Sequence, residues 1–172
     1  ACAGARAQGS PAPLRVALDP ASRTSAALAR HLVASETAGR ARCVLALRPG
    51  PDPSGEEADA VLVIGDPALA WAKRWKGPVL DLGAEWTRRT GLPFVFARWR
   101  ARGGRGAKEP ETLGGILDAA ADRGLPRRAA LARAFAQSRG MDPRGAVEYV
   151  QRHVRYRIGP REEEALARFQ AI

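Results

Sequence analysis

The sequence has almost no cysteine, since Cys2 and Cys43 are the only two in 172 residues and lie far apart along the chain. Two isolated thiols exclude a disulfide framework and a structural zinc site, and neither histidine, His31 or His153, has a partner for metal binding. No stretch approaches the roughly 18 consecutive apolar residues of a transmembrane helix, and no segment has the layout of a signal peptide. We therefore expect a reduced, cytoplasmic protein with no metal and no membrane partner.

Lysine is also scarce, because only Lys73, Lys76 and Lys108 accompany 25 arginines. The 28 basic residues outnumber the 18 acidic ones and give a net charge of +10, which raises the question of a nucleic-acid partner. The arginines are scattered among Ala, Gly and Pro, a pattern typical of biased composition. We expect no nucleic-acid partner and a charge that attracts a small anion. A steep loss of binding with salt would favour the alternative, an arginine-rich nucleic-acid binder.

The order of the predicted elements is typical of an α/β protein. Residues 1–13 lack periodicity and predict a disordered lead-in. Apolar runs predict strands at 14–18, 44–47, 60–64, 78–82 and 94–99, and periodicity predicts helices at 24–35, 67–75, around Glu85 and Trp86, 109–123, 126–139, 143–154 and 161–170. The arginine- and glycine-rich stretch 102–107 is a candidate boundary. We expect an α/β lobe over 14–93, and a crossover strand with the helical portion of another lobe over 94–172.

Hydroxyl side chains lie where the first predicted helix begins, in the run Ser22-Arg23-Thr24-Ser25. A helix N-terminus has unpaired N–H groups and the positive end of the helix dipole, so it binds anions, and the hydroxyls and the arginine add donors. Ser and Thr are also preferred as N-caps with no ligand at all. Both interpretations, helix cap and ligand site, stay open.

A second helix start follows the apolar run 60–64, at Gly65-Asp66-Pro67. Asp as the N-cap and Pro as the first helical residue are favourable for capping alone. The carboxyl end of a parallel strand is also where ligands bind, and Gly65 would let a ligand approach the backbone closely. Here too the structural and the functional interpretation remain side by side.

Four segments of the chain, taken in their order along the sequence, indicate a relationship to known proteins. They are SRTSAALARHL at 22–32, VLVIGDPAL at 61–69, DLGAEWTRRTGLPFVFARW at 81–99 and YRIGPREEEALARF at 156–169. In this order they resemble the chorismate dehydratase family of the futalosine route to menaquinone, and the resemblance covers residues 14–170. Segment 81–99 is the most specific. The dihydroxynaphthoate synthases of the same pathway have a similar stretch, but FVFA at 94–97 favours the dehydratase.

The resemblance implies a cytoplasmic α/β enzyme with a type II periplasmic-binding-protein-like fold, of which this chain holds one nearly complete lobe and the helical part of the second. It implies a lyase that removes water from chorismate to give 3-[(1-carboxyvinyl)oxy]benzoate in menaquinone biosynthesis, with no cofactor. We expect substrate binding at both helix starts, by Ser22, Thr24, Ser25, Gly65 and Asp66. A non-catalytic module for small carboxylates and the sister synthase activity remain alternatives.

The sequence departs from this family at its beginning. Family members start with a strand and an SYLN-type segment that line the cleft, and residues 1–13 match neither. The only methionine is Met141. We therefore expect that the chain lacks the family's N-terminal portion and is clipped after Ile172. On this view the catalytic base is not assignable here, and the chain alone is inactive and aggregation-prone, with apolar faces exposed around Leu113, Ile116 and Leu117.

Overall fold

The computed structural model describes residues 15–36, 42–45, 58–72, 74–100 and 109–172. The predicted lead-in at 1–13 and the arginine- and glycine-rich boundary at 102–107 lie outside the described residues. Within the described ranges the protein is mostly helical with a small parallel sheet, which is compatible with the predicted α/β class.

The described strands form a three-stranded parallel sheet. They are β1 (Arg15–Leu18), β2 (Arg42–Leu45) and β3 (Ala60–Val61), and their order across the sheet is β2-β1-β3. Val16 on the central strand is in register with Cys43 on one side and Ala60 on the other. Parallel neighbours need a crossover between them, and the first crossover contains the helix predicted at 24–35.

Helices make up most of the remaining described chain. They are α1 (Arg23–Glu36), α2 (Gly65–Ala72), α3 (Leu82–Thr90), α4 (Glu109–Gly124), α5 (Arg128–Ser138), α6 (Pro143–Glu148) and α7 (Pro160–Gln170). A 3-10 turn, Leu125–Arg127, joins α4 to α5, and a π turn, Tyr149–His153, extends α6. Each helix predicted from periodicity is present, with its ends moved by a few residues.

The chain divides into two compact units. The first holds the residues up to Ala97 together with Pro160–Ile172, and the second holds Arg98–Gly159. Helix α7 therefore groups with the sheet, whereas the sequence predicts that all of 94–172 belongs to the other lobe. Arg161 donates a hydrogen bond to the Gly91 carbonyl at 2.5 Å, which fastens the start of α7 to the end of α3.

The core of the first unit lies between the sheet and the helices packed on it. Leu28 and Leu32, one helical turn apart on α1, are buried together with Val16 and Leu18 of β1. The same cluster includes Trp86 of α3. The apolar stripe of α1 thus covers the central strand, and burial of this area is the main favourable contribution to the stability of the unit.

The segment 81–99 owes its order to local contacts that begin and end α3. Asp81 is the N-cap, and its Oδ1 accepts a hydrogen bond from the Ala84 N–H at 2.9 Å. Gly91 ends the helix in the left-handed region, with φ of 72°, and its N–H donates to the Thr87 carbonyl at 2.8 Å. A Cβ at Gly83 would stand 3.3 Å from the ring of Phe96, so the glycine lets this ring lie close to the start of α3.

Gly91→Ala is expected to lower the free energy of unfolding by about 1–2 kcal/mol, because an L-residue with a Cβ is strained in the left-handed region. Gly115→Ala is the control, since Gly115 lies inside α4 with open space around it. That change should raise helix stability by about 0.5–1 kcal/mol. Urea denaturation followed by circular dichroism measures both. A neutral Gly91→Ala would contradict the strained cap.

Two predicted strands, 78–82 and 94–99, are wrong. Residues 78–81 carry no strand, and Leu82 is already helical because Asp81 caps α3. Residues 94–99 are also outside any described strand. Phe94 packs edge-on against Trp86 and Phe169, with ring centroids 5.4 Å and 4.9 Å away, so aromatic contacts partly bury its side chain without sheet pairing.

The second unit is built on the inner face of α5. Ala132 and Ala136 are buried there, and α5 packs against α6. Asp142 caps α6 by accepting hydrogen bonds from the Arg144 and Gly145 N–H groups. In the same unit Leu113 and Ile116 of α4 are exposed, as expected, and Leu117 is half-buried.

Glu85 forms the strongest charge cluster that the described residues show. Hydrogen bonds from Arg88 and Arg89 lower the pKa of Glu85 to about 2 from its ordinary value of 4.5. Arg89 also donates to Ser35 at 2.6 Å and pairs with Glu36, so the cluster links α3 to the end of α1. It lies at the opposite end of α1 from the predicted site and has a structural role.

The pH dependence of the free energy of unfolding should show the contribution of the Glu85 cluster. Because the folded pKa of Glu85 lies below its unfolded value, the stabilisation is present above about pH 4.5 and is lost as pH falls towards 2. Glu85→Gln should therefore be less stable than the wild type at neutral pH, and the two should converge near pH 2. Melting temperatures across this range test the prediction, with Glu164→Gln, at an exposed position, as the matched control. A constant difference across the range would contradict the assignment.

Candidate functional site

Ser22 and Ser25 form a closed cap at the start of α1. The Ser25 N–H donates to Ser22 Oγ at 3.1 Å, and the Ser22 hydroxyl donates to Ser25 Oγ at 2.8 Å. The Ala26 N–H donates to the Ser22 carbonyl at 3.0 Å, which begins the helical bonding. Ser25 is only 4% exposed. The helix-cap interpretation thus accounts for the hydroxyls of both serines.

Thr24 is placed differently from its neighbour Ser25. Its side chain is half-buried, and within the described part of the chain its hydroxyl has no hydrogen-bond partner. Residues 25, 28 and 32 follow the buried stripe of α1, whereas Thr24 is rotated by about 100° from Ser25 around the helix. Of the predicted hydroxyls at this helix start, Thr24 is the one available to a ligand.

Asp19 positions the start of α1 through hydrogen bonds from the residues that follow it. Its Oδ1 accepts a hydrogen bond from the Ala21 N–H at 2.8 Å, and its carbonyl accepts one from the Ser22 N–H at 3.4 Å. This is the turn that an Asp-Pro pair favours between a strand and a helix. The Asp19-Pro20 pair is the sequence signal that could have identified this positioning role.

Gly65 and Asp66 lie at the start of α2 and are both exposed. Gly65 has φ of +65°, and the nearest heavy atom to a Cβ built there is Pro67 Cδ at 4.0 Å. The helix begins two residues before the predicted start at 67. The backbone of Gly65 is therefore open to close approach, as the functional interpretation requires, while Asp66 contributes a negative charge in the first turn.

The sheet topology brings the two helix starts to one edge of the first unit. β1 and β3 are adjacent and parallel, and the Leu62 N–H continues their pairing by donating to the Ala17 carbonyl at 2.7 Å. Helix α1 follows the carboxyl end of β1, and α2 follows that of β3. Two helix N-termini at the carboxyl edge of a parallel sheet favour an anionic ligand.

The described residues have neither a metal-binding cluster nor a helix able to span a membrane. No group of three or more His, Cys, Asp or Glu side chains in those residues could hold a metal ion. Nor does any described helix have the length and apolar character needed to cross a membrane. His31 is half-buried within α1, and His153 stacks on Tyr149 with ring centroids 6.3 Å apart.

The first unit is thus an α/β unit in which two helices begin at the carboxyl edge of a parallel sheet. The chain belongs to the menaquinone biosynthesis family, whose model matches residues 4–172. It is 27% identical over 153 residues to a chorismate dehydratase of Campylobacter jejuni subsp. jejuni serotype O:23/36 (strain 81-176). That match covers 89% of this chain and 56% of the relative, so the chain spans little more than half the relative's length.

Proposed function

We propose that this chain supplies part of a chorismate dehydratase, a lyase that removes water from chorismate to give 3-[(1-carboxyvinyl)oxy]benzoate. The observation that carries the proposal is the similarity along 89% of the chain to a protein of that name, within a family for menaquinone biosynthesis. We also propose that the protein is a cytoplasmic enzyme of the futalosine route, that it has a type II periplasmic-binding-protein-like fold, and that it uses no cofactor.

The proposed reaction requires a site that binds the ring carboxylate of chorismate. A base removes the ring proton beside the enol ether, and the electron pair is delocalised through the ring double bond onto the ring carboxylate. The neighbouring hydroxyl then leaves with a proton as water, and the ring becomes aromatic. Because negative charge grows on the carboxylate during this step, N–H and O–H donors aimed at it lower the barrier.

The two helix starts offer such donors. In our proposal the Arg23 and Thr24 N–H groups, in the first turn of α1, bind the ring carboxylate together with the Thr24 hydroxyl, and the exposed backbone at Gly65 borders the ligand. Ser22 and Ser25 act by holding the helix start in shape. Asp66 lies, in this proposal, beside the hydroxyl group of the substrate and away from the substrate carboxylates, because two carboxylates repel each other.

A chimera tests the function of this chain directly. In it, residues of this chain replace the matched 153 residues of the Campylobacter protein, and formation of the aromatic product from chorismate is followed by absorbance. We expect turnover by the chimera and none by the 172-residue chain alone. A folded chimera that binds chorismate without turnover would favour a binding module. A chimera that is active only on the synthase substrate would favour the sister activity.

Thr24→Val tests the site, because valine keeps the shape of threonine and removes the hydroxyl. In the active chimera we expect chorismate turnover to fall by a factor corresponding to about 1–3 kcal/mol, the value of a hydrogen bond to a charged group. Thr24→Ser should retain most activity. Ser22→Ala should instead lower stability by about 1 kcal/mol as a lost cap. Unchanged kinetics in Thr24→Val would remove Thr24 from the site.

A further inference from the structure

Helices α1 and α3 lie side by side and run in the same direction. The Arg89 guanidinium, near the end of α3, donates to Ser35 Oγ at 2.6 Å and pairs with Glu36 at the end of α1. Leu82, the first residue of α3, shares the core cluster with the buried stripe of α1. Because their last turns are joined and both helices pack on one core, α3 begins towards the carboxyl edge of the sheet, as α1 does.

The segment after α3 returns along this helix to its start. Gly91 ends α3, whereas the Phe96 ring lies 3.3 Å from where a Cβ of Gly83, in the first turn, would stand. Five residues span up to about 17 Å, and a nine-residue helix is about 13 Å long, so the return is complete by residue 96. Phe96 therefore lies at the edge of the first unit where α1 and α2 also begin.

Aromatic contacts fix the Phe96 ring and leave about half of it outside the core. Phe94 packs edge-on against this ring, with centroids 4.7 Å apart. Phe94 is itself held by Trp86 and Phe169, and it is partly buried, whereas Phe96 is 48% exposed. The first unit thus sets the orientation of the Phe96 ring without enclosing it.

We propose that Phe96 contacts the ring of the substrate and selects a flat, unsaturated ring. The inference rests on the proposed function, which places the substrate carboxylate at Thr24 on the same edge of the first unit. Aromatic side chains interact more favourably with a flat π-system than with a saturated ring. Because the ring of chorismate becomes aromatic as water leaves, this contact strengthens along the reaction and contributes to turnover as well as to binding.

Two competing carboxylates test the proposal in the active chimera. Benzoate has a flat ring and cyclohexanecarboxylate a saturated one, and both are ionised at neutral pH, so they differ at the ring. We expect benzoate to inhibit chorismate turnover more tightly. Phe96→Leu should lower the ratio of the two inhibition constants by about threefold to tenfold, whereas Phe96→Tyr should keep it. Phe135→Leu, which removes a ring 43% exposed on α5, is the matched control and should leave the ratio unchanged.

Gly83→Ala tests the position of the ring by a second route. Its Cβ would stand 3.3 Å from the Phe96 ring, so the ring must move by a few tenths of an ångström. We expect the ratio of inhibition constants to fall in the same direction as in Phe96→Leu, but by less. Helix stability should not fall, because alanine favours the helix more than glycine does.

The outcomes separate this inference from the proposed function. If the chimera turns over chorismate and Phe96→Leu leaves the ratio unchanged, the inference is wrong and the proposed function stands. A lower melting temperature with an unchanged ratio would assign Phe96 to packing against the rest of the enzyme. A folded chimera with no turnover of chorismate would overturn the proposed function, and the role of Phe96 with it.

Discussion

Replacing Trp86 with alanine should lower the free energy of unfolding of the first unit by about 3–5 kcal/mol. Trp86 is 2% exposed and belongs to the core cluster between the sheet and α3. Its ring contacts Phe94 and Phe169 edge-on, with centroid distances of 5.4 Å and 5.9 Å. Loss of this side chain leaves a cavity where α3, α7 and residues 93–97 meet. Urea denaturation followed by far-ultraviolet circular dichroism measures the change.

Two comparison variants separate ring packing from a general effect of losing a tryptophan. Trp86→Phe should cost less than Trp86→Ala, because it keeps an aromatic ring and removes an indole N–H that has no hydrogen-bond partner within the described residues. Trp71→Ala should also cost less, since Trp71 is half-buried, stacks on Trp75 at 4.8 Å and lies outside the core cluster. Equal losses for Trp71→Ala and Trp86→Ala would contradict the assignment of the core.

Amphipathic helices are the part of this fold that the sequence predicts best. Leu28 and Leu32 repeat at helical spacing, and the observed helix, Arg23–Glu36, extends only a residue beyond the predicted 24–35 at each end. The reason is physical: a helix satisfies its own backbone hydrogen bonds, so a local pattern is enough to identify it. The same reasoning placed α4, α5 and α7 within a few residues of their observed positions.

Short apolar runs predict strands less well than periodicity predicts helices, because a strand needs a pairing partner that the run itself does not contain. The run at 60–64 does pair with β1, although the described strand covers only Ala60–Val61. The runs at 78–82 and 94–99 resemble it in composition and form no described strand. Leu82 is buried in the first turn of α3 and Phe94 is partly buried in the aromatic cluster, whereas Val79, Phe96 and Trp99 are exposed.

The candidate site shows a similar limit. The residue types at 22–25 predict both a cap and an anion site, and only the contacts distinguish individual hydroxyls. Ser25 continues the stripe of Leu28 and Leu32 and is buried, which periodicity alone could have indicated. The adjacency of the two helix starts could not be predicted without the strand order, because it follows from β1 and β3 being neighbours.

Leu18→Ala should lower the free energy of unfolding of the first unit by about 2–5 kcal/mol. Leu18 is 0% exposed and is the last residue of the central strand, in register with Leu45 of β2. The turn at Asp19 and the cap at Ser22 follow it directly. The cavity would therefore open beneath the start of α1, so a loss of stability should be accompanied by weaker ligand binding at Thr24 in the active chimera.

The matched control for Leu18→Ala is Val79→Ala, which removes an apolar side chain that is 60% exposed in the same unit. That change should alter stability by no more than about 0.5 kcal/mol. Tryptophan fluorescence is a suitable probe for both variants, because three of the four tryptophans, Trp71, Trp75 and Trp86, lie in the first unit. If Leu18→Ala were as mild as Val79→Ala, the central strand would not be the buried support of the helix start. The link proposed here between the sheet core and the anion site would then fail.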